Sequence, residues 1–445
     1  MSGPKVVRVV TREELIAICR AHLARLDAAL AAWTRTGRRS DTLSEAEVEA
    51  AQRRRDEIAA LLEEDRFLDL QKAAQDEISF LAGDRQARLQ KAALAEARAR
   101  TAIRREQDAA RAVLSALRRS GRAIPADLET ALEEAARGAG DAASAVSAGF
   151  ALMSQPSEAD TSRLRELAKA LKEDSPARRL ETWLESQPPS PDEAALGRIE
   201  ARLGELSALA GAHATASFEA RLIQLRAGGD ARRRRLLLDS LALDLGQTLA
   251  EARKHAEAQS RLEQALAELG SFDPSAVESL GANAGASLSE IEVQIAAVEA
   301  AIARARDAQA AAARRAAVLQ ALAGLGYEVG EELSTAWVQD GRVVLRRPAQ
   351  PGYGVELTGG ATADRLQMRV VAFGEGPADP ARDRDAETLW CGDVSVLQER
   401  LASAGAALTI EKALPVGATP VKRISDLEDQ SLAREGRAPQ ARTLG

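Results

Sequence analysis

Few residues of this 445-residue chain are of a type and spacing that could do chemistry, and their surroundings decide against most of it. Asp379, Asp383, Asp385 and Glu387 crowd one stretch, GEGPADPARDRD running into AETLWC. In an extended segment, carboxylates two apart point to one side, which is how hard oxygen ligands gather around a divalent cation. A metal-dependent enzyme using the acidic loop 379–387 is therefore one reading. Arg382 and Arg384 alternate with those carboxylates and cancel the field a cation needs, so the alternation favours a solvated loop. His22, His213 and His255 fall in three separate helical stretches without the paired spacing of a zinc hydrolase. His22 lies beside an apolar stripe, as packed histidines do. Cys19 and Cys391 are too few for a disulfide framework, and Cys391 has no nearby histidine in sequence to lower its pKa.

The dipeptide Gly-Lys does not occur, so there is no phosphate-binding loop of the form G-x-x-x-x-G-K-[ST], and no G-x-S-x-G elbow either. GYGVELTGG is glycine-rich but has no following helix, which makes its glycines turn residues. These observations lead to an expectation of no catalytic, cofactor-binding or metal-ligating residue and no bound cofactor.

Binding chemistry is the remaining possibility. Arg232 to Arg235 form the densest basic run, yet four consecutive helical residues point all round the axis and cannot track one phosphate strand. The arginine pairs elsewhere are balanced by nearby Glu and Asp, and the net charge is −7. Nucleic acid is thus the less favoured partner. The start MSGPKVVRVV lacks a signal-peptide core, and no apolar run approaches the ~18 residues of a membrane span, which leads to the expectation of a cytoplasmic protein without a membrane partner; the excess of arginine over lysine reads as the codon bias of a GC-rich, bacterial genome.

The elements that would position any site are mostly helical. Hydrophobic residues make up 45% of the chain but aromatics only 3%, a composition suited to long helices packed in thin layers. The most regular stretch begins at Leu288. Leu288, Ile291, Ile295, Val298, Ile302, Ala305, Gln309, Ala312, Ala316, Leu319 and Ala323 alternate steps of three and four, the seam of a coiled coil with Gln309 as its polar member. Ser287 and Glu290 form a capping box before it. Pairing within the chain and pairing between copies in a homo-oligomer satisfy this pattern equally.

Upstream, KVVRVV at 5–10 is a short β-like arm. Thr11 caps a helix with stripe Leu15, Ile18, Leu23, Leu26, Leu30 and Trp33, which ends in the polar TGRRSDTLS. A second helix is expected from Ser44 through Leu81, broken at Gly83-Asp84, and a third to about Ser120. Residues 122–229 read as a bundle of short helices with Phe150, Met153, Trp183, Leu184 and Phe218 as core candidates and SQPPSP as an internal linker. Asp230 restarts a long helix to about Leu269, with Gly246 as a kink.

After Leu325 the period switches to two. Trp337 to Val343 reads as a hairpin around Asp340-Gly341. YGVELT and RLQMRVVAF are further strands, AETLWC a fifth, and ALTIEK a last. Asp393 is expected to cap a helix with stripe Val394, Leu397 and Leu401. From about Val416 the chain lacks periodicity and reads as a disordered tail.

The fold class expected is mostly α: long coiled-coil or bundle helices, a short-helix middle domain, and a C-terminal α+β module with a small antiparallel sheet and flanking helices. The divisions are 1–121, 122–229, 230–325, 326–415 and 416–445. The expected function is that of a non-enzymatic scaffold or adaptor that docks a protein partner through the α+β module. Tyr327, Trp337, Tyr353 and Trp390 are its partner-binding candidates, with core packing as their alternative role. The rival is a nucleic-acid-associated coiled-coil protein working beside a separate ATPase.

Overall fold

The computed structural model describes residues 3–121, 123–154, 191–226, 230–281, 285–330, 333–359, 365–374 and 379–424. Among them the chain is mostly helical, with one small sheet whose strands lie at the two ends of the sequence. The helices are α1 (Arg12–Arg39), α2 (Glu45–Ala60), α3 (Phe67–Ser120), α4 (Ala126–Arg137), α5 (Ala142–Ser154), α6 (Pro191–Ala210), α7 (Ala212–Arg226), α8 (Ala231–Phe272), α9 (Pro274–Leu280), α10 (Leu288–Ala323), α11 (Leu333–Asp340) and α12 (Pro380–Ser403). The strands are β1 (Lys5–Val10), β2 (Arg342–Arg346), β3 (Tyr353–Thr358), β4 (Arg365–Phe373), β5 (Ala407–Ala413) and β6 (Lys422–Ile424). Among the described residues no helix is long and apolar enough to cross a membrane.

The chain divides into two compact units. One comprises residues 1–34, 45–82 and 258–445; the other comprises 35–44 and 83–257. In the second unit, two leucine-rich layers do the packing. Val113, Leu114 and Leu117 of α3 meet Leu132 of α4 and Val146 of α5. Ile199, Leu203 and Leu206 of α6 meet Phe218 and Leu222 of α7 and Leu241, Leu245 and Leu249 of α8. Phe150 is exposed and Met153 only half-buried, so of the core candidates described there Phe218 alone is central; Trp183 and Leu184 lie outside the described residues. α8 runs as one helix through Gly246.

The first unit holds the sheet, ordered β2-β3-β4-β1-β5, with β6 pairing parallel to β4 and every other pair antiparallel. The N-terminal strand is therefore internal to the sheet, between β4 and β5. The α+β module is not contiguous in sequence, and a fragment beginning near Ala316 would lack that strand. β6 corrects the expected tail as well, because Lys422–Ile424 is paired strand; residues 425–445 lie outside the described set.

Several expected boundaries move for local physical reasons. The break after α2 comes at residues 61–66, where Asp65 adopts φ 56° and the Arg66 amide donates to the Leu61 carbonyl at 3.0 Å. Arg12 holds the Asp65 carboxylate at 2.8 Å. α3 then runs through Gly83-Asp84, because an isolated glycine costs a helix only ~1 kcal/mol. α1 likewise continues past Trp33 to Arg39. Thr11 does cap α1, accepting the Glu14 amide at 3.2 Å.

The seam of α10 holds only in its first half. Ile291, Ile295, Val298 and Ile302 are buried against Ala258, Leu262 and Leu269 of α8, with Leu288 half-buried beside them. The partner helix is thus in the same chain. Beyond Ile302 the buried positions become Ala310, Ala311, Val318, Leu319 and Leu322, while Gln309, Ala312 and Ala316 are exposed. Val318, Leu319 and Leu322 belong to the core under the sheet. One helix serving two partners needs two faces, so no single 3.5-residue seam runs its length.

Candidate functional site

The strands of the sheet alternate, and the alternation divides it into two unlike faces. Val7, Val9, Val343, Leu345, Val355, Leu357, Leu366, Met368 and Leu408 point to one side, where α10, α11 and α12 seal them with Leu322, Trp337, Trp390, Val394, Leu397 and Leu401. Three of the four aromatic candidates are part of this core. Trp337 is 1% exposed, Trp390 2% and Tyr327 5%. They are packing residues, which corrects their reading as surface anchors. Tyr327 meets Trp390 edge-on with ring centroids 6.0 Å apart. Its hydroxyl donates to Asp393 Oδ2 at 2.8 Å, and Arg347 donates to the same oxygen at 2.9 Å. Burial and that bond push the Tyr327 hydroxyl well above the usual phenol range. Asp393 is accordingly an interior member of α12 that anchors a tyrosine, not a helix cap. Tyr353 is half-buried at the rim, donating to Asp383 Oδ1 at 2.7 Å.

The expected hairpin at Trp337 is a helix followed by a strand. Gly341, at φ 66°, ends α11 instead of turning two strands. A left-handed glycine satisfies a helix end as well as a hairpin turn, and the sequence signal for the two is shared. The acidic stretch and AETLWC are also helical, since Asp379 caps α12 by accepting the Ala381 and Arg382 amides and Pro380 follows in the first turn. Their carboxylates are dispersed by the helix: Asp383 is engaged by Tyr353 and Glu387 by the Gly417 amide at 2.6 Å, while Asp385 is exposed. Among the described residues no group of three His, Cys, Asp or Glu is placed to hold a metal ion. His22 is half-buried with Nδ1 unpartnered; burial first, and the charge of Arg25 second, lower its pKa. His213 on α7 is exposed. Of the arginine run, Arg235 reaches Asp192 at 3.7 Å.

In the second unit a cavity of about 350 Å³ is lined by Arg100, Arg104, Arg226, Glu200 and Glu219, among others. Its central charge is matched by its own lining. Glu200 is 3% exposed and takes both Arg104, at 2.5 Å, and Arg226. Burial, then the proximity of Arg104, lowers the Arg226 pKa.

The opposite face of the sheet is where basic side chains collect. Cross-strand partners share a face, so the register gives its rows directly. Val344, Glu356 and Arg369 form one row, and Arg342, Thr358, Gln367, Val6 and Lys412 another. Arg346, Gly354, Val371 and Lys422 form a third, and Arg8 lies opposite Arg365. Seven cations thus stand on this face, with Glu356 and Glu411 as its carboxylates. Glu356 is 1% exposed and gathers Arg369, Lys422 at 2.8 Å and Arg342 at 3.8 Å. Burial would raise its pKa, but the hydrogen bonds from Lys422 and Arg369 outweigh that and hold the carboxyl below its usual range. Arg365 pairs with Glu411 at 2.8 Å.

Gly354 serves a close approach. A Cβ there would sit 2.5 Å from the Leu345 carbonyl oxygen and 2.8 Å from the Phe373 ring, and Arg346 stacks over that ring at 4.0 Å. The residues of this face were missed in the sequence, although one signal was available. In KVVRVV, RVVLR and RLQMRVV the basic residues that build the face hold one parity and the core residues the other.

No protein-family model, curated protein or solved structure matches this chain.

Proposed function

We propose that the protein is a non-enzymatic adaptor whose helices form its body and whose α+β module docks an acidic protein partner over the basic sheet face. The observation that supports this most is the concentration of cations on that face in a chain of net charge −7, which leaves the remainder more negative still. Glu356 fixes three of the cations in place, which lowers the side-chain entropy lost when a partner's carboxylates arrive. Arginine suits the role, because its fork pairs with carboxylates in two places at once. A protein partner is favoured over nucleic acid by the shortage of stacking surface. Phe373 is the aromatic of the face, and Arg346 already covers it. The acidic remainder of the chain would also repel a long polyanion that extended beyond the face.

With three of the four sequence-predicted aromatics buried, docking by charge replaces docking by apolar anchors, and a marked salt dependence is expected. The test compares the wild-type chain with a variant carrying Arg8→Gln, Arg346→Gln and Arg365→Gln, using a polyglutamate peptide and a single-stranded oligothymidylate as probes. The peptide should bind the wild type, weaken as salt rises, and lose roughly tenfold or more in the variant, since three charge pairs together reach ~1.4 kcal/mol. Tight oligonucleotide binding at near-physiological salt, with the peptide ignored, would transfer the face to the nucleic-acid reading. If neither probe binds, the face is not a docking surface.

A further inference from the structure

One cation of the sheet faces inward. Lys5 on β1 lies opposite Met368 and two residues before Val7, both fully buried core residues, and is itself 2% exposed. Its Nζ donates to Cys391 Sγ of α12 at 3.2 Å, its only side-chain partner among the described residues. A buried amine would be expected to find a carboxylate or a carbonyl, because a thiol is a weak acceptor and leaves the nitrogen poorly compensated. Cys391 is itself half-buried rather than sealed in the core. Cys19 is the internal contrast. It is fully buried, its sulfur meets the Phe67 carbonyl at 3.6 Å and the Gln71 side chain, and burial raises its pKa.

The geometry points to Lys5 and Cys391 as a redox-controlled covalent tie, formed when a peroxide oxidises the thiol and the lysine amine then captures the sulfur as a sulfenamide. In the first step Sγ attacks one oxygen of hydrogen peroxide. The O–O bond breaks, and hydroxide leaves with the thiol proton as water, giving Cys391 sulfenic acid. In the second, the Lys5 ammonium gives up one proton to water, and the amine lone pair so freed attacks Sγ. An N–S bond forms as the S–O bond breaks, and the departing hydroxide takes a proton from nitrogen to leave as the second water. One thiol, one amine and one peroxide thus become one bridge and two waters, with sulfur oxidised by two electrons and peroxide reduced. The contact already places nitrogen against sulfur, so capture competes well with attack by a second peroxide.

The tie would span 386 residues of chain and pin an internal strand of the sheet to the helix beneath it. It would hold β1, and with it Arg8 of the outer face, in place under oxidising conditions. The inference stands on the contact alone and does not depend on which partner the outer face takes.

The full-length chain, treated with a modest excess of hydrogen peroxide and mapped as peptides by mass spectrometry, provides the test. A joined peptide containing Lys5 and Cys391, lighter by two hydrogens than its halves together, is the expected product. The melting temperature should rise by several degrees with its formation, and dithiothreitol should return both readings to their starting values. Cys391→Ala should show neither change. Lys5→Arg keeps the buried cation but lacks the amine nucleophile, so its Cys391 should pass on to sulfinic acid. Wild-type protein in which Cys391 is oxidised, or left untouched by excess peroxide, while the Lys5 peptide remains unmodified overturns the inference, and that reading needs no variant to fold.

Discussion

The two faces of the sheet are made by the same strands, one residue apart, and differ in almost everything else. The inner face packs Trp337 and Trp390 against valine and leucine and excludes water. The outer face carries arginines around one buried glutamate. Inner side chains gain by leaving water, at roughly 25 cal/mol per Å² of apolar surface, and so carry the stability of the module. Outer side chains gain little from one another, since exposed ion pairs contribute at most ~1 kcal/mol, and remain available to something else. Strand parity therefore separates what holds the module together from what it presents.

Truncating a residue on each face is the most severe test of that separation. Trp390→Ala should destabilise the chain by about 3–5 kcal/mol, because the neighbours Tyr327 and Leu397 cannot collapse into the space a tryptophan leaves. Arg365→Gln on the outer face should stay within ~0.5 kcal/mol of wild type, its side chain being 63% exposed. Urea unfolding of both variants measures this, and equal costs would mean that the faces are not energetically distinct.

Glu356 is the exception that sharpens the contrast, an outer-face residue with inner-face burial. Glu356→Gln leaves Arg369, Lys422 and Arg342 around a neutral amide, and about 3 kcal/mol should be lost, at the low end for a broken buried pair because the three cations can turn toward water. The carboxyl is held below its unfolded value of 4.5, so its contribution is complete above that pH and disappears as pH falls through the lower folded value. Melting curves between neutral pH and pH 3 should converge for wild type and variant at the acid end. A constant gap would show that the loss comes from shape rather than charge.

How much of this was legible in the sequence depended on whether the signal was local. The capping box at Ser287 and Glu290, the strands YGVELT and RLQMRVVAF, and the stripe Val394, Leu397 and Leu401 each carry their own cause, and each is found in place. The pairing of β1 with β4 and β5 is not local, since nothing in KVVRVV says which strands will flank it. Residues 386–391 failed for another reason. Their leucine, tryptophan and cysteine read as strand, yet Asp379-Pro380 upstream is a helix start, and the start decided the outcome. The basic face was legible only as parity, and parity becomes visible once the strands are aligned side by side.

The smallest effect is expected at Tyr353, on the rim where the inner face meets water. Its hydroxyl donates to Asp383, and burial first, that bond second, push its pKa up to about 12 from 10.0. Below pH 10 the phenol keeps its proton in the folded and the unfolded chain, and the bond contributes fully. As pH rises from 10 toward 12 the unfolded chain releases its proton first, so stability falls across that window. Solvent on the open side of the ring limits the loss to about 1 kcal/mol. Tyr353→Phe should therefore cost about 1 kcal/mol at neutral pH through the lost hydrogen bond, and should decline less steeply than wild type above pH 10. Tyr327 shifts in the same direction from a more buried position, so some slope should survive in the single variant and diminish further when Tyr327→Phe is added. An alkaline slope unchanged by Tyr353→Phe would place the rim tyrosine in water, with its Asp383 bond contributing nothing, and would move the boundary between the two faces inward by one residue.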